Sequence, residues 1–399
     1  MESIKDIFIE GPGPSSSHTI GPAIAAVDFR TDLGEVDNII VALCGSLALT
    51  GKGHSTDTVI LKMLSDYKVE IVFDYNLVGL KHPNTVIFKA FKDGKIVKEK
   101  TYLSVGGGKV VSDLKDVKIK NVYPFNSFNE IKKYSEENHL SLVEIVNHFE
   151  NSDINAYFEN AINVMFKNIE ANIKKDGILP GSLKLKRVSK SIYENSLKIE
   201  DPEEQKTMLI TAFAYACLEG NASGDIVVTA PTCGSCGIVP SLLYFEYKYN
   251  HVAKEKLVDS LKVAGLFGNV CKKNASISGA VLGCQAEVGV ASLMASAALA
   301  YIHNLSLYQI EYASEVALEH FLGLTCDPVD GYVQIPCIER NGIAVLRSYE
   351  SYLYAKNISP YRKNKVSFDE VVSAMKMTGE SLNQDYKETS VGGLAKVVK

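Results

Sequence analysis

The stretch "NASISGAVLGCQAEVGVASLMASAALAYI", residues 274–302, decides the fold of the larger part of the chain. Polar residues lie beside glycines up to Cys284, and a long run of small apolar residues follows. This run is the most membrane-like window in the sequence. It is rich in Ala and Ser and closely flanked by Glu287 and His303, so we interpret it as a buried helix of a soluble core. Whether Cys284 is an inert core residue or a ligand of a buried group stays open at this point.

Helical periodicity dominates the sequence on both sides of this stretch, after about residue 136. Glycines mark the ends of the periodic segments, as they often do for helices. No series of strands alternates with them, which argues against a doubly wound sheet. The predicted helices cover residues 203–220, 253–273, 285–304, 311–323 and 368–386.

The N-terminal part of the chain has a different pattern. Three β-rich runs, 38–43, 69–74 and 85–92, are bounded by turn residues, and "SVGGGKVV" (104–111) predicts a glycine turn leading into one more strand. Residues 55–67 predict a helix capped by Ser55 or Thr56. The sequence therefore predicts an α+β protein. A small α/β domain (1–118) and a linker (119–135) precede a larger all-α domain (136–399).

Composition excludes some classes of function. The net charge is −5, which leaves no basic footprint for nucleic acid. The start, "MESIKDIFIEGPGPSSSH", has no apolar core of a signal peptide. Eight cysteines are scattered along the chain, which indicates a reducing compartment. We expect a cytoplasmic protein that binds neither nucleic acid nor membrane.

Three cysteines lie where helices begin or end. Cys284 precedes the apolar run, Cys326 follows a predicted helix, and Cys337 comes eleven residues later. Three thiolates without a nearby fourth suggest an iron–sulfur cluster with one open iron, since structural zinc sites usually close with four ligands. The spacing matches no general ferredoxin pattern, so packing in the core remains an alternative. For the other isolated cysteines, Cys44, Cys217 and Cys271, packing is the preferred interpretation.

A C-x₂-C pair stands in the glycine-rich loop "APTCGSCG". Cys233 and Cys236 could form half of a metal knuckle, a redox pair, or two small residues packed at a tight turn. The sequence favours the last of these and leaves the others open.

Several longer motifs make the sequence more specific. "NASISGAVLGCQAEVGVA", "GLTCDPVDGYVQIPCIERN" and "YKETSVGGLA" resemble the catalytic domain of the iron–sulfur-dependent L-serine dehydratases. "GPGPSSSHTIGPAIAA", "GSLALTGKGHSTD", "YLSVGGG" and "LPGSLKLKR" resemble other parts of the same family, in the same order. The resemblance spans nearly the whole chain. In two respects the chain departs from the family pattern, since its small domain is compact and its "APTCGSCG" loop carries cysteines.

The resemblance implies a 4Fe-4S cluster held by Cys284, Cys326 and Cys337, with the fourth iron open. It also implies an all-helical catalytic domain and a small domain similar to an allosteric or substrate-binding module. Such a protein would convert L-serine to pyruvate and ammonia and would be sensitive to oxygen. We also expect a homodimer.

The chemistry needs a base beside the cluster and polar partners for the substrate. His18, in "PSSSHT", is the first choice for the base, because a histidine suits this role near neutral pH. His54 is the second candidate and would otherwise orient the substrate. Lys186 and Arg187 could supply positive charge or be surface residues. The predicted substrate-binding set is Ser15, Ser16, Ser17, Lys52, His54, Asn274, Ser276 and Ser278.

Two other functions remain open from the sequence. The first is a cluster-dependent lyase for another β-substituted amino acid, such as threonine or cysteine, because the leaving-group pocket cannot be read from the motifs. The second is a non-catalytic amino-acid sensor with a structural cluster. Pyridoxal phosphate chemistry has little support, since no lysine context for a Schiff base is present.

Overall fold

The computed structural model of the protein describes residues 1–76, 78–112 and 121–398. Its strands are β1 (Glu10–Pro12), β2 (Asn38–Gly45), β3 (Val69–Asp74), β4 (Asn84–Lys92), β5 (Lys95–Gly106), β6 (Lys109–Val111) and β7 (Ile226–Val228). Its α-helices are α1 (Gly21–Arg30), α2 (Ser46–Thr50), α3 (Thr56–Met63), α4 (Phe128–Asn138), α5 (Leu142–Phe149), α6 (Ile154–Asn172), α7 (Ser189–Ser196), α8 (Pro202–Ala222), α9 (Ile238–Tyr249), α10 (Lys254–Asn274), α11 (Gly279–Leu282), α12 (Val288–Ile302), α13 (Leu307–Glu319), α14 (Cys337–Ile358), α15 (Phe368–Ser381) and α16 (Gly393–Val397).

A five-stranded sheet organises the N-terminal part, with the strand order β3-β2-β4-β5-β6. Only β2 and β3 run parallel, and the crossover that a parallel pair requires is formed by α2 and α3. Helix α1 packs beside α3 over one face of the sheet. Phe29 of α1 stacks on Phe88 of β4 with ring centroids 5.0 Å apart. This is the small α/β domain that the sequence predicts.

Strand β5 was missed by the sequence interpretation. Its first half is exposed and rich in lysine, so its side chains do not show the apolar alternation of a half-buried strand. The sequence feature that indicates this strand is the two-residue hairpin turn before it. Asp93 and Gly94 both have positive φ angles, 51° and 72°, as the two central residues of a type I′ hairpin require. The strand predicted after the glycine turn is present as β6.

Helix α3 begins where the sequence predicted but is not capped as predicted. Ser55 precedes the helix with a φ of 56°, in the left-handed region, and its side chain makes no capping hydrogen bond. The helix also ends at Met63, four residues earlier than expected. The left-handed backbone at Ser55 turns the chain between His54 and α3.

Helix α12 lies at the centre of the helical domain. It packs against α9, α10, α13 and α14, and nearly all its residues are buried. Ala, Ser and Gly side chains let the neighbouring helices approach closely. The window Cys284–Ile302 is apolar enough to cross a membrane by composition, but 89% of it is buried inside the protein. The interpretation as a buried core helix is confirmed, and α8, α10, α13 and α15 match the other predicted helices.

The N-terminal residues connect the two parts. Strand β1 pairs with β7, a short strand within the helical part, and Met1, Ile4 and Phe8 join the helical core. Helix α4 begins at Phe128, inside the segment predicted as a linker; Ser127 caps it by accepting a hydrogen bond from the Glu130 N–H. The boundary predicted at residues 118 and 119 lies outside the described residues. The division into 1–118, 119–135 and 136–399 therefore stays a prediction.

Candidate active site

His18 is held by an unusual local structure. Residues Ser16–Ile20 form a π-helical turn, a conformation that is rare and frequent at functional sites. The Ser15 side chain begins this turn by accepting a hydrogen bond from the His18 backbone N–H at 3.1 Å. The His18 side chain is completely buried.

Hydroxyl groups flank both ring nitrogens of His18. Nε2 lies 3.0 Å from Oγ of Ser46, and Nδ1 lies 3.0 Å from Oγ of Ser17. Ser46 donates its own proton to the backbone carbonyl of Glu388 at 2.6 Å, so it accepts a hydrogen bond from His18. We therefore assign the proton of the neutral ring to Nε2. Burial, together with the charges that His54 and His82 would carry, holds the pKa of His18 well below its usual value.

His54 stacks on His18 and faces a different environment. The two ring centroids lie 4.5 Å apart. Nδ1 of His54 lies 3.0 Å from the carbonyl oxygen of Thr50, so it carries the proton and donates it to this oxygen. Burial lowers the pKa of His54 to about 4. Nε2 of this neutral ring therefore keeps a free lone pair, and it lies 3.7 Å from Oε1 of Glu388.

The three predicted cysteine ligands come together from three separate segments. Cys284 begins a short 3₁₀ turn before α12, Cys337 begins α14, and Cys326 lies in an extended segment. The Cys326 backbone hydrogen-bonds to Tyr386 and Glu388, which places the "YKETS" segment beside it. A buried cavity of about 20 Å³ is lined by Pro14, Ser15, His54, Gly234, Cys284, Glu287, Val288, Cys326, Pro328, Val333, Cys337 and Glu388.

The thiols of Cys284 and Cys326 interact directly. A hydrogen bond from Cys326 lowers the pKa of Cys284 to about 6; burial opposes this change, and the positive charge of Arg340 adds to it. The same hydrogen bond and burial raise the pKa of Cys326 well above its usual value. This contact and the nearby positive charge favour the thiolate form of Cys284, with Cys326 as its hydrogen-bond donor.

Two carboxyl groups at the cavity, those of Glu287 and Glu388, have no role in the sequence interpretation. Oε2 of Glu287 lies 3.8 Å from the sulfur of Cys326, and burial raises the pKa of Glu287 to about 8. Glu388 also has a strongly raised pKa, mainly because of burial, and its Oε2 atom has no hydrogen-bond partner among the described residues. Glu388 has a left-handed φ of 58°. Strained backbone of this kind is often retained at functional sites.

The predicted substrate-binding serines have different positions. Ser15 lines the cavity, and Ser16 and Ser17 lie in the π-helical turn behind it. Ser278 is buried, and its Oγ atom has no hydrogen-bond partner in the described part of the chain. Ser276 accepts a hydrogen bond from the Ser278 backbone at 3.0 Å.

Four other candidate residues do not line the cavity. Lys52 is exposed, with Nζ 5.3 Å from the ring centroid of Phe73. Asn274 donates to the carbonyl of Asn126 at 2.8 Å, at the end of α10. Lys186 is exposed, whereas Arg187 is buried and binds Asn172 and Glu219 between helices. Their contacts place these four residues at structural or surface positions, and their predicted roles toward the substrate stay predictions.

The remaining cysteines are free and buried. The 3₁₀ turn Cys233–Ser235 ends just before Cys236. Gly234 lines the cavity, but neither of the two cysteines does. Burial raises the pKa of Cys236 to about 12 and holds that of Cys233 well above its usual value. Cys44, Cys217 and Cys271 are also fully buried, as expected for packed residues. The tight-turn interpretation of the C-x₂-C pair fits this geometry best.

His18, His54 and Glu388 also present ligand atoms within 4.8 Å of one another, a spacing that could suit a metal ion. The hydrogen bonds of the two histidine rings favour a different role for these residues. Both ring nitrogens of His18 and one of His54 already have partners inside the protein. One ring nitrogen and one carboxyl group remain, which suits proton transfer better than metal binding.

Comparison with known proteins defines the class to which this site belongs. Residues 89–395 match the family model described as the serine dehydratase alpha chain. Residues 3–74 and 62–115 match the family model described as the serine dehydratase beta chain. The chain thus joins in one polypeptide the regions that these two models describe.

Relatives match the chain over nearly its full length. An L-serine dehydratase of Helicobacter pylori is 38% identical, covering 100% of this chain and 99% of its own. L-serine dehydratase 2 of Escherichia coli is 36% identical, over 99% of this chain and 98% of its own. A Streptomyces coelicolor L-serine dehydratase is also 36% identical, with 98% of each chain covered. The protein belongs to the serine dehydratase family.

Proposed function

We propose that this protein is an L-serine dehydratase that forms pyruvate and ammonia with the help of a 4Fe-4S cluster. The observation that carries the proposal is one buried cavity lined by Cys284, Cys326, Cys337 and His54. Residues from the small α/β domain and from the helical domain both contribute to this cavity. Relatives named L-serine dehydratase, similar over nearly the whole chain, support the assignment.

The donor set fits such a cluster. Iron–sulfur clusters take cysteine thiolates as ligands, and the Cys284 thiol already has a pKa of about 6. Three segments supply the three sulfurs, so they can surround a group rather than bind one side of it. No fourth cysteine is among the described residues that line the cavity. One iron would therefore have no protein thiolate and could take the substrate.

The reaction removes water from serine in two linked events. When bound, the cluster supplies a Lewis acid that stabilises the hydroxide leaving Cβ. A base in the protein must take the Cα proton. The electron pair of the broken Cα–H bond then forms the new Cα–Cβ double bond. The product, aminoacrylate, tautomerises to an imine. Water then hydrolyses the imine to pyruvate and ammonia.

His54 is the better candidate for the base, although His18 was the first choice from the sequence. His54 lines the cavity, and the Thr50 carbonyl fixes its proton on Nδ1, so Nε2 can accept another. His18 does not line the cavity, and hydroxyl groups contact both its ring nitrogens. We propose that His54 takes the proton and that His18 positions it by ring stacking and through Glu388, whose Oε1 lies 3.4 Å from Nδ1 of His18.

Unpartnered polar atoms mark where the substrate's carboxylate and ammonium groups could bind. Oγ of Ser278, Oγ of Ser104 and Oδ1 of Asn84 are buried without hydrogen-bond partners among the described residues. Asn84 donates to the Ser104 carbonyl at 3.4 Å, which places the two residues together. A Cβ atom on Gly106 would lie 3.3 Å from Cβ of Ser278, so β5 ends close to that serine. The hydroxyls could bind the carboxylate, and the Asn84 oxygen could accept from the ammonium.

The experiment is anaerobic reconstitution followed by iron, sulfide and product analysis. We expect about four irons per chain, a brown colour that air bleaches, and pyruvate from L-serine. Threonine and cysteine, offered separately, test the alternative substrates: 2-oxobutyrate from threonine at an equal or higher kcat/KM would replace the serine assignment. A cluster without turnover of any of the three amino acids would support a sensor. Full serine activity in a colourless, iron-free protein would refute the cluster.

We also propose that the active protein is a cytoplasmic homodimer. The cysteines remain unpaired in the structure, which is consistent with a reducing compartment. Light scattering of the reconstituted protein measures the molecular mass. A mass near twice that of the 43.6 kDa chain would support the homodimer, and a monomeric mass would refute it.

A further inference from the structure

Arg340 lies behind the cysteine set and takes no part in the function proposed so far. It is in the first turn of α14, three residues after Cys337, so the two side chains lie on the same side of that helix. The guanidinium is largely buried, with a side-chain exposure of 15%. A buried arginine without partners would be very costly, so its contacts indicate what it does.

Its hydrogen bond connects the Cys326 segment to α14, which begins at Cys337. Nη1 of Arg340 donates to the carbonyl oxygen of Thr325 at 2.9 Å, directly before Cys326. The positive charge of the guanidinium also acts on Cys284, whose pKa it helps to lower. Because Arg340 stands three residues after Cys337, this one side chain joins the Cys326 and Cys337 segments by contact and acts on Cys284 through its charge.

The positive charge of Arg340 can balance negative charge at the three cysteines. Three thiolates around a buried cluster concentrate negative charge in a region with little water, where opposite charges interact strongly. Asp327 lies 3.7 Å from Arg340, beyond hydrogen-bond distance, and accepts its hydrogen bonds from Thr325 and from the Leu394 N–H. Arginine keeps its charge at any accessible pH, and its planar fork can serve several acceptors at once.

We propose that Arg340 is a positioning residue that holds the segments of Cys326 and Cys337 together beside the cluster and, through its charge, raises the cluster's reduction potential. The inference rests on the proposed function, because it requires the cluster. Hydrogen bonds to cluster sulfurs and nearby charge are the means by which proteins set such potentials. A positive charge stabilises the reduced, more negative state, so removing it should lower the potential. A cluster of lower potential loses electrons to oxygen more readily and should bleach faster in air.

The test compares Arg340→Gln, Arg340→Lys and the matched control Arg347→Gln. Arg347 lies on the same helix, exposed and paired with Glu350. Each protein is reconstituted anaerobically, and iron content, midpoint potential and the rate of bleaching in air are measured. Thermal unfolding of each iron-free protein shows whether the variant still folds.

We expect Arg347→Gln to match the wild type in all three readouts. Arg340→Gln should show a lower potential and bleach several times faster, or fail to retain iron while its iron-free form unfolds at the wild-type temperature. Arg340→Lys, which keeps the charge but not the fork, should fall between them. A wild-type potential and bleaching rate in Arg340→Gln would overturn the inference. An altered unfolding temperature with unchanged potential and bleaching would also overturn it, since the role would then be structural only. A wild-type protein that takes up no iron would instead refute the proposed function.

Discussion

Nε2 of His54 lies 3.7 Å from Oε1 of Glu388, although the two residues belong to different domains of the protein. His54 follows α2 of the small domain, and Glu388 lies near the C-terminus, on the segment that runs beside Cys326. This contact brings the candidate base and the cysteine set to one cavity. Neither domain contains the complete site alone.

The first prediction concerns the two histidines. His54→Gln should lower kcat by about 10²-fold or more, the usual contribution of a general base, while iron content stays at the wild-type level. His18→Gln should lower kcat less, because Nε2 of His54 would remain. Steady-state kinetics with iron analysis measures both effects, and the exposed His320→Gln is the control. If His18→Gln were the more severe change, His18 would be the base, as the sequence alone suggested.

Ser46→Ala should weaken the contact between the domains. Ser46 accepts from His18 and donates to the Glu388 carbonyl at 2.6 Å, so the variant leaves two buried polar groups without a partner. We expect the free energy of unfolding to fall by about 1–3 kcal/mol, measured by urea denaturation. Ser373→Ala, which removes a local hydrogen bond on the exposed face of α15, should cost much less. Equal losses in the two variants would contradict this account of Ser46.

A pair of glycine substitutions tests the turn that presents Cys284. Gly283 and Gly323 have positive φ angles of 77° and 83°, so alanine is strained at both positions, and the ψ of −175° puts Gly283 in a region that is essentially restricted to glycine. The two positions differ in the room that they leave for a side chain. A Cβ at Gly283 would lie 2.8 Å from the Leu324 carbonyl oxygen, whereas no atom lies within 4 Å of a Cβ at Gly323. Gly283→Ala should therefore unfold more easily than Gly323→Ala and retain less iron. Similar iron content in both variants would show that this turn does not position the ligand.

Ser278→Ala should separate substrate binding from stability. The Ser278 hydroxyl has no partner among the described residues, so its removal should leave the unfolding temperature unchanged or raise it. If the hydroxyl binds the serine carboxylate, KM should rise by roughly 5- to 10-fold, as expected for one lost hydrogen bond of about 1 kcal/mol. Ser292→Ala removes another buried unpartnered hydroxyl, in α12, and should not change KM. Unchanged KM in Ser278→Ala would exclude it from the substrate site.

The sequence predicted most of the fold because its signals are local. The long helices follow apolar periodicity, and β2, β3 and β4 are apolar runs between turns. Strand β5 was missed because half of it faces solvent, and α4 because its segment is highly charged. Ser127 and Glu130 nevertheless formed a readable helix start there.

The site was only partly predictable for a different reason. The cysteines could be proposed from their positions at helix ends and from family resemblance. The choice between His18 and His54 depends on which ring nitrogen is already hydrogen-bonded, and that requires tertiary contacts. Glu388 lies more than 300 residues from both histidines in sequence. The meeting of these residues depends on how the two domains pack, which no local pattern encodes.

The most direct test of the central claim is the iron content of single cysteine variants, measured after anaerobic reconstitution. Cys284→Ala, Cys326→Ala and Cys337→Ala should each lose the cluster and all serine turnover. Cys44→Ala and Cys217→Ala, which change buried residues away from the cavity, should keep about four irons per chain and near-normal activity. The account would be contradicted if any of the first three variants retained a full cluster. It would also be contradicted if Cys233→Ala or Cys236→Ala removed iron as completely as those three.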